Sequence, residues 1–227
     1  MKILCIGDSL GLPREGCSYE ETWFSQLVGK YPQHTFFSHF EGGRLIESAL
    51  NDYNMYYRYY NTDVVILQQG IVDCSPRYVN DKKAINLVIR KLFTVFGLTK
   101  LYWKIVKSHP RRPDCVYTKI ESFETKYGEL VKSILSTENK AIIAIKIGHS
   151  TEALVEKSSK YFNSNVDRYN AIIDKIANDN KGRMIVISPL DKVEDDMFLD
   201  GYHCSAKGMK MVYEDVLSSL KMVSNCF

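Results

Sequence analysis

Short apolar runs of strand length alternate along the chain with stretches whose apolar residues recur every three or four positions. Residues 2–6, Lys-Ile-Leu-Cys-Ile, form the first such run. Residues 22–30 carry Trp23, Phe24, Leu27 and Val28 at helical spacing. Residues 34–40 predict a second strand, Glu41-Gly42-Gly43 a turn, and 45–51 the opening of a helix. Residues 63–67, Asp-Val-Val-Ile-Leu, predict a third strand leading into Gln68-Gln69-Gly70. Residues 140–147 predict a fourth, leading into Gly148-His149. Residues 166–178 read as a helix, 184–188 as a fifth strand, and 205–222 as a last helix with Ser205 at its N-cap. Strands alternating with helices imply a parallel five-stranded sheet covered on both faces, an α/β fold in three layers. No repeat, low-complexity run or linker divides the chain, so 1–227 is expected to form one domain.

Residues from about 78 to 120, between strands three and four, are too many for a simple crossover. Within 82–112 stand Lys82, Lys83, Arg90, Lys91, Lys100, Lys104, Lys107, Arg111 and Arg112, and no Asp or Glu. Apolar residues such as Ile85, Val88, Leu92, Phe96, Leu101 and Ile105 are interleaved with them. The pattern predicts a basic, amphipathic helical insertion, a hairpin broken near Gly97.

Composition sharpens this picture. The chain of 227 residues is 45% hydrophobic and 25% charged, enough for a sizeable core. Its net charge is only +3, so with nine cations in the insertion the remainder stands at about −6. The charge is localised rather than general. It suits a cap packed on the domain, a lid that attracts an anionic substrate, or contact with an anionic membrane surface through 82–112. Nucleic acid is not expected, because no recognition motif accompanies the basic run. The six cysteines, at 5, 17, 74, 115, 204 and 226, form no CxxC pair and no metal-ligand spacing with His, so reduced thiols and no metal site are expected. No apolar run reaches the ~18 residues of a membrane span. A strand at residue 2 leaves no room for a secretory signal, so a cytoplasmic protein is expected, with the inner membrane face as a place of contact.

Candidate chemistry sits at the two ends. Gly7-Asp8-Ser9-Leu10 follows the first strand and sets a hydroxyl on a tight turn at the carboxyl edge of the sheet, where open α/β sheets bind ligands. A serine there needs a base. Asp200-Gly201-Tyr202-His203 can supply one: three residues apart on a turn, Asp200 can accept the Nδ1 proton of His203 and leave Nε2 for Ser9.

On these two stretches the sequence resembles the SGNH (GDSL-type) hydrolase family. Gly7-Asp8-Ser9-Leu10 is similar to the block that holds the nucleophile. Asp200-Gly201-Tyr202-His203, followed by Ser205, Ala206 and Gly208, is similar to the last block, the DxxH that completes the triad. The resemblance implies a flavodoxin-like fold and ester hydrolysis through an acyl-enzyme, with no cofactor. It implies an oxyanion hole from the Ser9 amide and that of a glycine after strand two, Gly43 or, as the alternative, Gly42. The third block, normally Gly-x-Asn-Asp, here reads Gly70-Ile71-Val72-Asp73. Val72 stands in the asparagine's place and cannot donate a hydrogen bond, a loss that typically costs 10²–10³ in rate. Either turnover of generic esters is slow or another group donates.

Arg77 is expected to be that donor or an anchor for an anionic substrate. Asp8, Gly70, Asp73 and His149 complete the expected substrate-binding set, although Asp8 also suits turn geometry and His149 a structural role. The resemblance favours O-acetyl groups on a carbohydrate or glycoconjugate, in surface-polysaccharide synthesis. The competing readings are a lipid-directed thioesterase or lysophospholipase, an O-acyltransferase, and a weakened binding module for membrane or glycan partners.

Overall fold

The structure is a computed structural model and describes residues 1–80, 83–109, 111–137 and 140–224. Lys82 and Cys226 lie outside the described residues. In chain order the elements are β1 (Lys2–Gly7), α1 (Trp23–Lys30), β2 (Thr35–Phe40), α2 (Ile46–Met55), β3 (Val64–Gln68), α3 (Ile71–Cys74) and α4 (Ala84–Val95). There follow α5 (Thr99–Lys107), α6 (Ile120–Ile134), β4 (Ala141–Ile145), α7 (Glu152–Ser158), α8 (Phe162–Asp179), β5 (Met184–Ile187) and α9 (Ala206–Ser224).

All strand pairs are parallel, in the order β2-β1-β3-β4-β5. This is the flavodoxin-like order, and the chain reverses direction across the sheet between β1 and β3. The loops after those two strands therefore part and leave a crevice at their carboxyl ends.

The period-2 alternation of a strand sorts the core into two layers. Ile3 and Cys5 of β1, with Val64 and Ile66 of β3, face Trp23 and Leu27 of α1 and Val212 and Val216 of α9. Leu4 and Ile6, with Val65 and Leu67, face Ala49 of α2, Phe123 and Tyr127 of α6, and Val166 and Ile173 of α8. β3 and β4 are buried along their whole length, which is why both read as continuous apolar runs. Each fully buried Leu, Ile or Phe contributes about 1.5–3 kcal/mol. Thr22 caps α1 by accepting a hydrogen bond from the Ser25 amide at 3.2 Å, and Ser205 caps α9 through the Gly208 amide at 3.4 Å.

The connection between β3 and β4 carries two things. α6 is the crossover helix, with Phe123, Tyr127, Leu130, Val131 and Ile134 on its buried face. The strand-and-helix reading of the sequence leaves 121–139 unassigned, because the long basic stretch before it masks where the crossover begins. Ahead of α6, α4 and α5 form the hairpin expected from the pattern. It turns at Gly97, whose φ of +69° is open to glycine, and the rings of Phe93 and Tyr102 meet across it at 5.5 Å. α4 buries none of its side chains. α7 was not foreseen either; it is a short helix of seven residues after β4.

Candidate active site

β1 delivers Ser9 to the crevice through a turn with little freedom. A Cβ on Gly7 or on Gly11 would lie 2.4 Å from the Phe40 ring, so only glycine lets β2 close against this turn. Asp8 accepts from the Leu10 amide at 3.0 Å, which caps a short 3-10 turn, Ser9–Gly11. The Asp8 amide donates to the Gln68 carbonyl at 3.2 Å and ties the turn to β3. Ser9 is left half-buried with its hydroxyl towards the cleft.

The partner comes from the loop before α9. Asp200 Oδ1 accepts from the amides of His203 at 3.0 Å and Tyr202 at 3.4 Å. Its other oxygen, Oδ2, lies 2.7 Å from His203 Nδ1. Gly201 makes this wrap possible with a φ of +98°. On the far side of the ring, His203 Nε2 lies 3.1 Å from Ser9 Oγ. Residues 194 positions apart thus meet at hydrogen-bond distance.

The electrostatics suit a base. Burial lowers the His203 pKa from its ordinary 6.5; the nearby Arg14 adds to this, and the hydrogen bond and charge of Asp200 oppose it. The ring is therefore neutral at neutral pH, and Asp200 directs its Nδ1 proton away from Ser9. Burial pushes the Asp200 carboxyl up, but the ring and amide of His203 outweigh it and hold the group below the ordinary aspartate value. Arg14 also donates from Nη2 to the Ser9 carbonyl at 2.7 Å. Sequence reasoning passed over Arg14; its one signal is a cation five positions past the serine in the same loop.

A cavity of about 790 Å³ opens beside Ser9, and Gly43, Val72, Arg77, Arg111 and Tyr202 are among its lining residues. Gly43 has a φ of +77°, and Gly42 lines the same wall. Val72 is on the wall too, so the third-block position faces the cleft with an apolar side chain. Arg77 lines it as well.

Four other expected site residues do not line this cavity. Asp8 and Asp73 are fully buried behind it. Asp73 accepts from the Ile46 amide at 3.2 Å and from the Thr118 hydroxyl, so it joins α2, α3 and the approach to α6. Burial drives the Asp8 carboxyl up to about 7; the charge of Asp73 adds to this, and the amides of Leu10, Gly70 and Ile71 oppose it. Gly70 turns the chain with a φ of +128°, and a Cβ there would meet Ile147 at 2.6 Å. These three brace the floor of the site rather than touch what enters it. His149 is bound at 2.7 Å to Asp167 and lines a separate cavity of about 200 Å³ with Lys146 and Asp174. That contact holds it away from the Ser9 crevice. Among the described residues, no group of three or more His, Cys, Asp or Glu is placed to hold a metal ion.

Solved structures share this architecture along nearly the whole chain. A psychrotrophic esterase, EstA from Pseudoalteromonas sp., superposes with a TM-score of 0.62 at 17% identity, over 99% of this chain and 98% of its own. Axe2, an acetylxylan esterase from Geobacillus stearothermophilus, does so with 0.63 at 14%, over 96% and 92%. A GDSL-like lipase from Bacteroides thetaiotaomicron gives 0.63 at 10%, over 100% and 89%. The chain has the SGNH (GDSL-type) hydrolase fold. No family model matches the sequence, and no curated protein does. The SGNH fold places the carboxyl ends of β1 and β3 where Ser9 and the Asp200–His203 loop meet here, and the basic hairpin of α4 and α5 is set beside that crevice.

Proposed function

We propose that this protein is an SGNH-type serine ester hydrolase. The observation that carries the reading is the continuous chain Ser9 Oγ to His203 Nε2 at 3.1 Å and His203 Nδ1 to Asp200 Oδ2 at 2.7 Å. Ser9 Oγ attacks the acyl carbonyl as its proton passes to Nε2. The same proton then leaves with the alcohol as the ester C–O bond breaks. Water, activated by the neutral ring, releases the acid from the acyl-enzyme. The amides of Ser9 and Gly43 are the donors assigned to the oxyanion. A sugar hydroxyl in place of water would make the same site an O-acyltransferase.

The substrate proposed is an O-acyl, chiefly O-acetyl, group on a carbohydrate or glycoconjugate. An open cavity with charged and aromatic side chains fits a saccharide better than a long acyl chain, and Axe2 and another neighbour of this fold, AlAXEase, are acetylxylan esterases. The setting proposed is surface-polysaccharide synthesis in the cytoplasm. Five free cysteines among the described residues fit a reducing compartment.

The test is a fluorophosphonate probe read by intact mass. One adduct on the wild type, lost in Ser9→Ala and strongly reduced in His203→Ala, supports the hydrolase. A folded wild type that takes no adduct overturns it in favour of a binding module, the reading to which Val72 in the cavity wall lends itself.

A second feature belongs to the surface. Ile85, Val88, Ile89, Leu92, Val95 and Phe96 of α4 and the turn after it recur at helical spacing and are exposed, as are Leu98, Leu101 and Ile105 beside α5. Lys100, Lys104 and Lys107 flank them. No helix among the described residues is long and apolar enough to cross a membrane. We assign this face to an anionic lipid surface, because apolar side chains and lysines that no carboxylate pairs among the described residues match its interior and its headgroups together.

A further inference from the structure

The cavity beside Ser9 carries charge of one sign. Arg77, Lys107, Arg111 and Lys157 are on its wall, and among the described residues no Asp or Glu is. They come from distant parts of the chain: Arg77 from the loop after α3, Lys107 and Arg111 from the insertion, and Lys157 from α7. Only folding assembles them.

The two arginines are held rather than loose. The Arg77 guanidinium lies over the Tyr117 ring at 4.4 Å, and its amide donates to the Cys115 carbonyl at 2.7 Å. The Arg111 guanidinium lies over the Tyr78 ring at 4.5 Å and donates from Nη1 to the Ser158 hydroxyl. The Nε atom of each is buried with no hydrogen-bond partner. Stacking fixes the plane of a guanidinium and leaves its edge for a bidentate contact with an oxyanion.

Four lysines elsewhere on the protein sit in ion pairs. Lys126 bonds Glu47, Lys146 bonds Asp174, Lys175 bonds Glu124, and Lys207 bonds Glu194 and Asp196. Among the described residues, none of the four cavity cations has a carboxylate at ion-pair distance. The basic surface also continues outward. A second cavity of about 710 Å³ shares Tyr78, Lys107, Arg111 and Ser158 with the first, and adds His109, Arg112 and Lys160 against one carboxylate, Glu156.

We propose that the ester hydrolysed at Ser9 belongs to an anionic saccharide, an O-acylated sugar chain that carries carboxylate, sulfate or phosphate groups. The acyl group sits at Ser9, the nearest anion lies against Arg77 and Arg111, and the next lies along Lys107, Arg112 and Lys160. This rests on the hydrolase reading and names the substrate class of the same site. The hydrolysis itself is unchanged: as the acyl-enzyme forms, the proton taken from Ser9 by His203 leaves with the sugar hydroxyl, and as it breaks down, water supplies the hydroxyl of the released acid while its proton returns through His203 to Ser9.

The experiment compares O-acetyl esters of matched saccharides that are neutral, carboxylated, sulfated or phosphorylated, with fluorophosphonate labelling run in parallel. A charged member should exceed the neutral one at least tenfold in kcat/KM, mostly through KM, and the advantage should shrink in high salt. The best member names the anion. In Arg77→Gln and Arg111→Gln the ratio of charged to neutral kcat/KM should fall at least tenfold. In Lys126→Gln, remote from the cavity and paired with Glu47, the ratio should hold. Labelling at Ser9 with equal kcat/KM across the series overturns the anionic-substrate proposal and leaves the hydrolase standing. Absence of labelling removes both.

Discussion

His203 stands between a carboxylate that would charge it and a guanidinium that would not. Burial and Arg14 win, so the acid limb of kcat/KM should lie below pH 6.5, the ordinary histidine value. The proposed mechanism uses the neutral ring as its base, so activity should be lost as pH falls through the folded-state pKa. Removing the cation in Arg14→Met favours the charged ring and should move that limb upward. A limb that does not move would mean Arg14 acts only by holding the Ser9 carbonyl. Val72 poses a second question at this scale. Val72→Asn returns a donor to the cavity wall, and kcat on a simple acetate ester should rise by about 10²-fold, the lower end of the 10²–10³ such donors supply. An unchanged kcat would show that the oxyanion is already satisfied. Ser9, Asp200 and His203 were legible because each falls in a short motif. Arg14, Arg111, Lys107 and Lys157 were not, since a lone cation in sequence carries no mark of what it will face.

At the scale of elements, the site is two turns held by glycines. Gly201 lets Asp200 fold back onto the His203 amide and ring, and a Cβ there would come 2.6 Å from Leu154 Cβ. Gly201→Ala adds a backbone strain of about 1–2 kcal/mol for a non-glycine residue at positive φ, besides displacing α7. A loss of that size lowers Tm by roughly 2–4 °C per kcal/mol in a chain of this length, and kcat should fall with it as Asp200 releases the ring. Thermal unfolding followed by circular dichroism, with kcat on the same sample, checks both. Wild-type values for both would show that the turn tolerates a side chain. The strands were legible from their apolar runs, and their ends moved by no more than two residues. The crossover helix α6 was not, although Phe123, Tyr127, Leu130, Val131 and Ile134 mark its buried face, because the basic stretch before it drew the boundary of the insertion forward. Asp8, Gly70 and Asp73 were expected to bind substrate, but they stand behind the wall, Asp8 and Asp73 held there by bonds to Leu10, Ile46 and Thr118.

For the whole molecule, charge is divided between a body of net negative sign and one basic hairpin. If α4 and α5 meet a lipid surface, the protein should sediment with vesicles rich in phosphatidylserine and not with phosphatidylcholine alone. Binding should weaken at high salt. Each lysine near such a surface is worth about 1 kcal/mol, so reversing Lys100 and Lys104 to Glu should weaken binding by tenfold or more. Equal sedimentation by the wild type and the double variant, or none by either, would assign the exposed apolar row to something other than lipid.

Sequence alone determined the class of fold and the candidate pair, because strand burial writes itself as runs of Val, Ile and Leu, and because a serine on a turn and a histidine three past an aspartate are local patterns. Tertiary structure alone decided that these ends meet, that His149 turns to Asp167 instead, and that four cations from three segments share one wall with Ser9. Those are relations across the sheet, fixed by strand order and by which helix covers which face, and no stretch of the chain contains them.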